Sequence, residues 1–336
     1  MPAEWEPHAA TWLSWPKKEA SWPGILDRIP PVYAQMIRAL AEGEAIHLLV
    51  DGEEMERQAR AVLRQHRADA SNVHFHRIRT NDAWIRDYGP TFLKSRRSPS
   101  QTLLLDWGYN AWGGKYPPYD ADDAVPRALA ELLGLPCVTP GMILEGGSID
   151  SDGAGLLLTT EACLLNPNRN PARTRAEIER TLCENLGVTK VLWLGDGIAG
   201  DDTDGHVDDL TRFVATGRAV TAVEHDERDE NSVPLRENLE RLRGMTDAAG
   251  SRLEVIELPM PLPVVFDGQR LPASYANFYI GNAAVLVPTY DSGRRDEMAL
   301  GILRDCFPDR RVVGIRSVDM VWGLGSFHCA TQQQPA

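Results

Sequence analysis

The sequence is poor in cysteine and has no long apolar segment. Only five of its 336 residues are cysteine, and no two of them form a Cys-x-x-Cys pair. This argues against both a disulfide framework and a structural zinc site. No apolar run approaches the roughly 18 residues that a membrane-spanning helix needs, and the amino-terminal residues are acidic and polar rather than signal-like. We therefore expect a cytoplasmic protein that has no membrane partner.

Positive charge is also scarce. The 35 lysines and arginines are outnumbered by 48 acidic residues, which leaves a formal net charge of -13 at pH 7. Proteins that bind nucleic acid display basic surfaces, so this balance argues against a nucleic-acid partner and favours a small or cationic ligand. Nucleotide binding is also weakly supported, because neither glycine pair, Gly113-Gly114 or Gly146-Gly147, lies in a phosphate-binding motif.

A histidine and an aspartate stand out in the segment 204–209. The residues 207–214 have the pattern of a strand, in which side chains alternate between the two faces. His206 and Asp208 would then share one face, roughly 6–7 Å apart. A histidine beside a carboxylate can hold a cationic group and move protons on it. The alternative is a buried histidine that is satisfied by a turn aspartate.

Two other segments favour a functional reading. Residues 81–90 combine acids and aromatics in a turn, where functional residues are common, and Asp87 lies in that turn. Residues 323–330 are rich in glycine and contain Cys329, a free thiol that is poorly explained as core. Cys329 is therefore the candidate nucleophile. The remaining cysteines are interpreted as small buried hydrophobic residues: Cys137, Cys163, Cys183 and Cys306.

The chain repeats one pattern of secondary structure. A strand, a glycine turn, a second strand, an amphipathic helix and a third strand recur with a period of about 60 residues. Such a period indicates a closed or stacked repeat architecture, and the apolar residues 10–15 are expected to pair beside the last hairpin. The alternative is a doubly wound parallel sheet without paired hairpin strands. Corresponding hairpin starts are marked by Trp84, Gly147, His206, Tyr275 and Cys329.

The candidate residues form a site without lysine or arginine. Its members are a thiol, an imidazole and three carboxylates: Cys329, His206, Asp208, Asp87 and Glu145. Paired carboxylates match the planar N–H donors of a guanidinium group, and a thiolate can attack the guanidinium carbon. The histidine can then protonate the departing amine and later activate water. Metal binding is the competing use, but the site has one histidine and no His-Glu-x-x-His spacing.

Six segments carry a resemblance to a known family. They are Met1-Pro2-Ala3-Glu4-Trp5-Glu6-Pro7-His8, Trp84-Ile85-Arg86-Asp87-Tyr88-Gly89-Pro90, Glu145-Gly146-Gly147, Leu164-Leu165-Asn166-Pro167-Asn168-Arg169-Asn170-Pro171, Thr203-Asp204-Gly205-His206-Val207-Asp208, and His328-Cys329 with Thr331-Gln332-Gln333-Gln334. In this order they resemble the agmatine deiminases, in the bacterial-type peptidylarginine deiminase group of the guanidino-group-modifying enzymes. The resemblance covers nearly the whole chain.

The resemblance implies a fold and a reaction. The implied fold is an α/β protein of the pentein type, a five-bladed pseudo-symmetric propeller of ββαβ units, with residues 1–336 as one catalytic domain. The implied reaction is hydrolysis of agmatine to N-carbamoylputrescine and ammonia. It would proceed through a covalent thiouronium on Cys329 and would need neither a cofactor nor a metal ion.

The resemblance also implies roles for the site residues. Cys329 corresponds to the nucleophile and His206 to the general acid and base. Asp87 and Asp208 correspond to a clamp for the guanidinium group.

Four further residues receive interpretations. Glu145 and Trp84 line the site in the family, although Trp84 also fits a core aromatic at a strand end. Arg86 is expected to make a structural ion pair. We expect His328 to be a packing neighbour of Cys329 rather than a base, because adjacent strand residues face opposite sides.

Departures from the family pattern leave alternatives open. Ser148 and Ser326 each stand where the family commonly has asparagine, and the segment 261–272 is short. The substrate could therefore be another guanidine, such as free or peptidyl arginine. A thiol-dependent amidinotransferase is the enzyme alternative, and a ribosome-binding propeller is disfavoured because it needs no thiol, imidazole and paired acids. A homo-oligomer is compatible with the sequence.

Overall fold

A computed structural model describes residues 1–68, 71–98 and 101–336. The strands are β1 (His8–Ser14), β2 (Ala45–Val50), β3 (Val73–Arg77), β4 (Thr91–Lys94), β5 (Thr102–Leu105), β6 (Cys137–Val138), β7 (Asp150–Ser151), β8 (Leu156–Thr160), β9 (Lys190–Leu194), β10 (Thr211–Ala215), β11 (Arg218–Val223), β12 (Glu254–Pro259), β13 (Val265–Phe266), β14 (Gln269–Arg270), β15 (Tyr279–Ile280), β16 (Ala284–Thr289), β17 (Arg311–Arg316) and β18 (Thr331–Pro335). The helices are α1 (Ile29–Leu40), α2 (Glu53–Gln65), α3 (Ile85–Tyr88), α4 (Ala111–Gly114), α5 (Asp120–Asp123), α6 (Val125–Leu133), α7 (Glu161–Leu164), α8 (Arg175–Leu186), α9 (Ser232–Gly244) and α10 (Arg294–Cys306). No helix in these ranges is both long and apolar enough to cross a membrane.

Five sheets of this mixed α/β fold share one pairing pattern. Each has an antiparallel pair whose inner strand also pairs in parallel with a third strand. The strand orders are β4-β5-β6, β7-β8-β9, β10-β11-β12, β15-β16-β17 and β18-β1-β2-β3. A parallel pair needs a long crossover, and a helix fills it in every unit. The pairing confirms the predicted repeat unit and the predicted position of β1 beside the last hairpin.

Helix α8 shows how local sequence signals set an element. Thr174 and Glu177 form a capping box at its start, and Gly187 ends it with a left-handed φ of 67°. This arrangement satisfies backbone groups that have no partner inside the helix. Helix α8 takes the place of the amphipathic helix in the predicted repeat unit.

The apolar core lies between sheets and helices. On α8, the buried side chains of Ile178 and Leu182 belong to the same cluster as Leu157 of β8 and Trp193 of β9. Ile178 and Leu182 are four residues apart and therefore share one face of α8. That apolar face packs against the apolar side of the neighbouring strands.

The predicted strand at residues 207–214 is shorter in the structure. Its first part is a 3-10 turn, Val207–Asp209, and β10 begins only at Thr211. The side chain of Thr203 accepts a hydrogen bond from the His206 N–H at 3.1 Å and so supports the turn. Such local bonds compete with sheet pairing, and the alternation of residues does not reveal them.

Two other predicted hairpin starts, Gly147 and Tyr275, also lie in turns rather than strands. The segment 274–280 contributes to a sheet only through β15 at its end, because the Ser274 side chain accepts from the Ala276 N–H in a turn. The segment 146–150 begins with a 3-10 turn, Gly146–Ser148, instead of a strand. The turn at Gly146–Ser148 brings the Gly147 N–H to the Asp87 carboxylate.

Residues 195–200 have the glycine spacing of a dinucleotide-binding turn and follow β9, but they lead into a loop rather than a helix. A helix amino terminus is the part of that motif that binds phosphate. Here the glycines allow close packing: a Cβ atom at Gly197 would lie 2.6 Å from the Cα atom of Gly205. The spacing therefore has a packing explanation.

The carboxylate of Glu4 joins several sheets at the centre of the molecule. Its Oε1 lies 3.0 Å from Arg212 of β10 and accepts from the Ile280 N–H of β15 at 2.8 Å. Its Oε2 accepts from Arg86 of α3 at 3.3 Å and lies 2.9 Å from Nε2 of His328. All five residues are buried.

Arg212 extends this network to the remaining sheet. Its Nε lies 3.4 Å from Asp150 of β7, and its guanidinium donates to the Phe278 carbonyl at 2.8 Å. Burial opposes ionisation of Glu4, but Arg212 and His328 outweigh it and hold the pKa of Glu4 well below its ordinary value of 4.5. The stabilisation that ionised Glu4 provides is therefore complete above about pH 4.5. It is lost as the pH falls toward the pKa of Glu4 in the folded protein.

We predict that Glu4→Gln lowers the free energy of unfolding by about 3–5 kcal/mol, because it leaves buried arginines without a full counter-charge. Urea unfolding at neutral pH measures this. The matched control is Glu42→Gln, which breaks an exposed ion pair with Arg311 and should cost less than about 1 kcal/mol. Equal stability losses in the two variants would contradict the central role of Glu4.

Candidate functional site

Two of the candidate catalytic residues, Asp87 and Cys329, line a cavity of about 200 Å³, whereas His206 and Asp208 lie behind its wall. Trp84, Asp87, Trp112 and Cys329 contribute to its wall and are all at least nine-tenths buried. The more exposed lining residues mark the mouth of the cavity. They are Lys18, Tyr116, Asp202 and Trp322.

Three of the predicted residues converge on one point beside Gly147. A Cβ atom at Gly147 would lie 2.6 Å from His206 Nδ1, 2.8 Å from Asp87 Oδ1 and 3.0 Å from Asp208 Oδ2. Such distances are too short for a real side chain, so glycine is required here. The structure therefore brings the predicted histidine and both predicted clamp carboxylates together.

Asp87 is held by two donors. Its Oδ1 accepts from the Gly147 N–H at 2.9 Å and lies 3.7 Å from His206 Nδ1, and its Oδ2 accepts from Trp112 Nε1 at 3.0 Å. Burial outweighs the opposing effect of His206 and raises the pKa of Asp87 to about 6, with a smaller increase from Asp208. Asp87 is thus a carboxylate at neutral pH that is protonated in mild acid.

Asp208 keeps one oxygen without a partner. Its Oδ2 lies 2.6 Å from His328 Nδ1 and 3.8 Å from the Cys329 sulfur. Burial raises its pKa, but His328 outweighs burial and leaves the pKa below the ordinary value. Within the described residues, Oδ1 has no hydrogen-bond partner. A buried acceptor of this kind indicates a place for a ligand or an ordered water.

His206 is also unpartnered. It is buried, and neither ring nitrogen has a hydrogen-bond partner in the described part of the chain. Burial lowers its pKa, but Asp87 opposes burial and raises the pKa well above the ordinary value. The ring is therefore an imidazolium at neutral pH, which is the form that can donate a proton.

Cys329 presents a buried thiol to the same space. Its sulfur accepts from Asn277 Nδ2 at 3.1 Å, and its S–H points to Asp208 at 3.8 Å. Burial raises the pKa of this thiol well above the ordinary value, and Asp208, Asp209 and Asp87 raise it further. The resting form is the thiol, and a cation bound among these acids would favour the thiolate.

Glu145 lies behind His206 rather than in the cavity wall. Its Oε1 accepts from Arg169 Nε at 2.7 Å, while Oε2 has no partner in the described residues. Glu145, Cys163 and His206 place potential metal-ligating atoms within 4.8 Å of one another. Arg169 already supplies a positive charge to these three residues. The prediction of a site without lysine or arginine is therefore wrong for the part that contains Glu145.

The position of Trp84 agrees with both of its interpretations, as a residue that lines the site and as a core aromatic. Its indole borders the cavity. It also packs against Trp22, with ring centroids 5.1 Å apart, and against the glycine segment before the nucleophile. Cβ atoms at Gly323 and Gly325 would lie 2.9 Å and 2.8 Å from the indole, so these glycines admit it.

Predictions for two neighbouring basic residues have different outcomes. The ion pair expected for Arg86 is confirmed by its contact with Glu4 at 3.3 Å. The strand argument for His328 is wrong, because β18 begins only at Thr331 and His328 lies in a turn. His328 contacts Asp208 and Glu4 directly and therefore links the site to the central network.

The interpretation of the other cysteines needs correction. Cys163 is buried as expected, but it lies beside His206 rather than in purely apolar surroundings. Cys137, Cys183 and Cys306 are only half-buried, because each lies at a partly exposed position of a strand or helix. Solvent exposure alone therefore does not separate Cys329 from the remaining thiols.

Three residues at the site were not identified from the sequence. Trp112 reaches Asp87 from a left-handed turn beside two glycines, which is a detectable signal for a special backbone position. Asn277 and Glu4 approach from segments far away in the chain. No local pattern marks Asn277, whereas Glu4 lies in one of the six segments that resemble the family.

The chain resembles known proteins over its full length. A family model described as Porphyromonas-type peptidyl-arginine deiminase matches residues 1–335. An agmatine deiminase of Ectopseudomonas mendocina is 38% identical over 359 aligned positions, covering 100% of this chain and 95% of that protein. A putative agmatine deiminase of Legionella pneumophila is 36% identical, covering 100% of this chain and 94% of that protein.

A solved structure agrees with these sequence relatives. The agmatine deiminase of Enterococcus faecalis superposes with a TM-score of 0.93 at 34% identity, and the match covers 100% of this chain and 95% of that one. The chain is thus an enzyme, a hydrolase that acts on C–N bonds, and it belongs to the Porphyromonas-type peptidyl-arginine deiminase family.

Proposed function

We propose that this enzyme hydrolyses agmatine to N-carbamoylputrescine and ammonia through a covalent intermediate on Cys329. One observation carries the proposal: a buried thiol, a buried imidazolium and two buried carboxylates meet at the end of a cavity, and Asp208 Oδ1 has no protein partner among the described residues. A guanidinium is the small cation whose N–H donors fit paired carboxylates. The family membership supports guanidine deimination.

Substrate charge would prepare the nucleophile. A guanidinium bound by Asp87 and Asp208 offsets the negative charge that raises the pKa of the Cys329 thiol. The thiol then releases its proton to solvent more readily, and the thiolate adds to the guanidinium carbon. His206, as an imidazolium, donates a proton to one nitrogen, which departs as ammonia and leaves a thiouronium on Cys329.

The same histidine would complete the hydrolysis. Neutral His206 takes a proton from a water molecule, and the resulting hydroxide adds to the thiouronium carbon. The C–S bond then breaks with its electron pair on sulfur, the added hydroxyl group loses its proton to solvent, and the urea product leaves while Cys329 remains as the thiolate. Transfer of the same carbon to an amine instead of water would be the amidinotransferase alternative.

The mouth of the cavity favours agmatine over arginine. Lys18 is the basic residue in the described lining, and it forms an ion pair with Asp82 at 3.0 Å. Asp202 adds a further acid there. Arg169, from one of the six segments that resemble the family, is buried against Glu145. A substrate carboxylate would therefore meet acids without a free basic partner.

Arg294 and Arg295 also do not line the described cavity. Arg295 instead pairs with Glu224 at 2.8 Å. We further propose that the five sheets form one closed propeller within a single domain of residues 1–336. The pairing of β1 with β18 and the shared strand pattern support this arrangement.

We predict that kcat/KM for agmatine exceeds that for free arginine by at least about 100-fold, since an unpaired carboxylate in the site costs a few kcal/mol. Ammonia release from agmatine, arginine, a methylated arginine and an arginyl peptide measures this preference. The two main substrates differ by one carboxylate, which isolates the effect. Equal or better use of arginine would refute the assignment of agmatine.

Alkylation of Cys329 should inactivate the enzyme, and substrate should protect it. Peptide mapping after partial inactivation identifies the modified residue, and Cys329→Ser should have no measurable turnover. The control variant Cys306→Ser removes a half-buried thiol far from the chemistry and should keep full activity. Inactivation that follows modification of Cys306 or Cys183, or activity that chelators remove and zinc or manganese restores, would exclude this mechanism.

The value of kcat/KM for agmatine should fall as the pH drops below about 6, because Asp87 must be ionised to bind the guanidinium and its pKa is raised to about 6. Asp87→Asn should remove this acidic limb and lower kcat/KM by about 10- to 100-fold, the effect of losing a charge-assisted hydrogen bond. Asp208→Asn should cause a comparable loss. The exposed control Asp27→Asn should retain both the value of kcat/KM and the acidic limb of its pH profile. An unchanged pH profile in Asp87→Asn would show that Asp87 is not part of the clamp.

A further inference from the structure

Asn277 connects the nucleophile to a neighbouring sheet. It lies in the loop before β15 and is buried. Its Oδ1 accepts hydrogen bonds from the backbone N–H groups of His328 at 3.0 Å and Cys329 at 3.4 Å. Its Nδ2 donates to Asp209 Oδ1 at 3.0 Å and to the Cys329 sulfur at 3.1 Å. Because backbone N–H groups only donate, these contacts fix Nδ2 toward the sulfur.

The other side chains that act most strongly on the sulfur are acids, and a backbone hydrogen bond at Ser326 lowers the pKa of the thiol. Asp208 accepts from the thiol, and Asp209 and Asp87 add negative charge that disfavours a thiolate. Among the described residues, Asn277 is the one whose side chain donates a hydrogen bond to this sulfur. Besides the backbone hydrogen bond at Ser326, the nucleophile thus has one side-chain donor within the described residues, in a strongly acidic environment.

We propose that Asn277 stabilises the thiolate of Cys329 through Nδ2, while Oδ1 positions the backbone that carries the nucleophile. The inference rests on the proposed role of Cys329 as the nucleophile. When the sulfur loses its proton, the hydrogen bond from Nδ2 becomes charge-assisted and therefore stronger. Asp209 accepts from the same amide nitrogen, so the donor needs no reorientation during the reaction.

Two variants separate the donor from the backbone contacts. Asn277→Asp keeps an acceptor oxygen for the N–H groups of His328 and Cys329 but removes the donor. Asn277→Leu has a similar volume and removes the donor without adding charge. The control Asn238→Asp changes another buried asparagine, which binds backbone groups of Gly195 and Asp196 and does not contact the site.

The pH dependence of iodoacetamide labelling at Cys329, followed by peptide mapping without substrate, measures the thiol pKa in each protein. Both Asn277 variants should shift this pKa upward by about one to two units, so that labelling at a fixed pH below the pKa slows about 10- to 100-fold. The control should match the wild type. An unchanged labelling profile in either Asn277 variant would overturn the proposal.

Turnover provides an independent second measurement. Because Asn277 contacts the sulfur and not the proposed guanidinium clamp, the variants should lower kcat by about 10-fold or more with little change in KM. A rise in KM at constant kcat would contradict thiolate stabilisation. The labelling experiment needs no substrate, so a failure of the deiminase assignment alone would leave the shift in thiol pKa intact and recognisable.

Discussion

The ion pair between Glu4 and Arg212 is the contact on which the rest of the structure depends. Both groups are buried, and their attraction must offset the loss of hydration that burial imposes on each charge. Through Glu4, the network also reaches His328, which contacts Asp208 of the site. The same carboxylate therefore holds sheets together and orients a residue beside the nucleophile.

The site itself combines groups that repel one another when it is empty. Asp87, Asp208 and Asp209 surround a thiol that is kept protonated by their charge and by burial. The ionised form of Asp209 is disfavoured as well, because burial and the neighbouring Asp208 raise its pKa well above the ordinary value. A cationic ligand would relieve this repulsion. The same electrostatic attraction would then bind the ligand and lower the pKa of the Cys329 thiol.

Much of the arrangement could be predicted from local sequence. The capping box and terminal glycine define α8, and the recurrence of hairpins defines the repeat. The residues proposed as nucleophile, acid and base, and clamp do converge. Periodicity failed where side chains bind the nearby backbone, as at Val207–Asp209, because a turn and a strand end can share the same alternation.

Long-range polar contacts could not be predicted in this way. Asn277 reaches Cys329 across 52 positions of the chain, and no local pattern encodes that approach. The charge of Arg169 at Glu145 was missed because the two residues are 24 positions apart and belong to different loops. The half-buried cysteines show the opposite error: an apolar neighbourhood in sequence does not establish how deeply a side chain is buried.

The pairing of β1 with β18 has a consequence for the order in which the molecule forms. During synthesis, β1 leaves the ribosome long before its antiparallel partner is made, so its sheet stays incomplete until nearly the whole described chain is available. Contacts of such high sequence separation form slowly because a large loop must close first. Cys329 immediately precedes β18, so a partly synthesised chain contains the acids and the imidazole but no nucleophile. The reactive centre is thus complete only after the segment that carries Cys329 has been made.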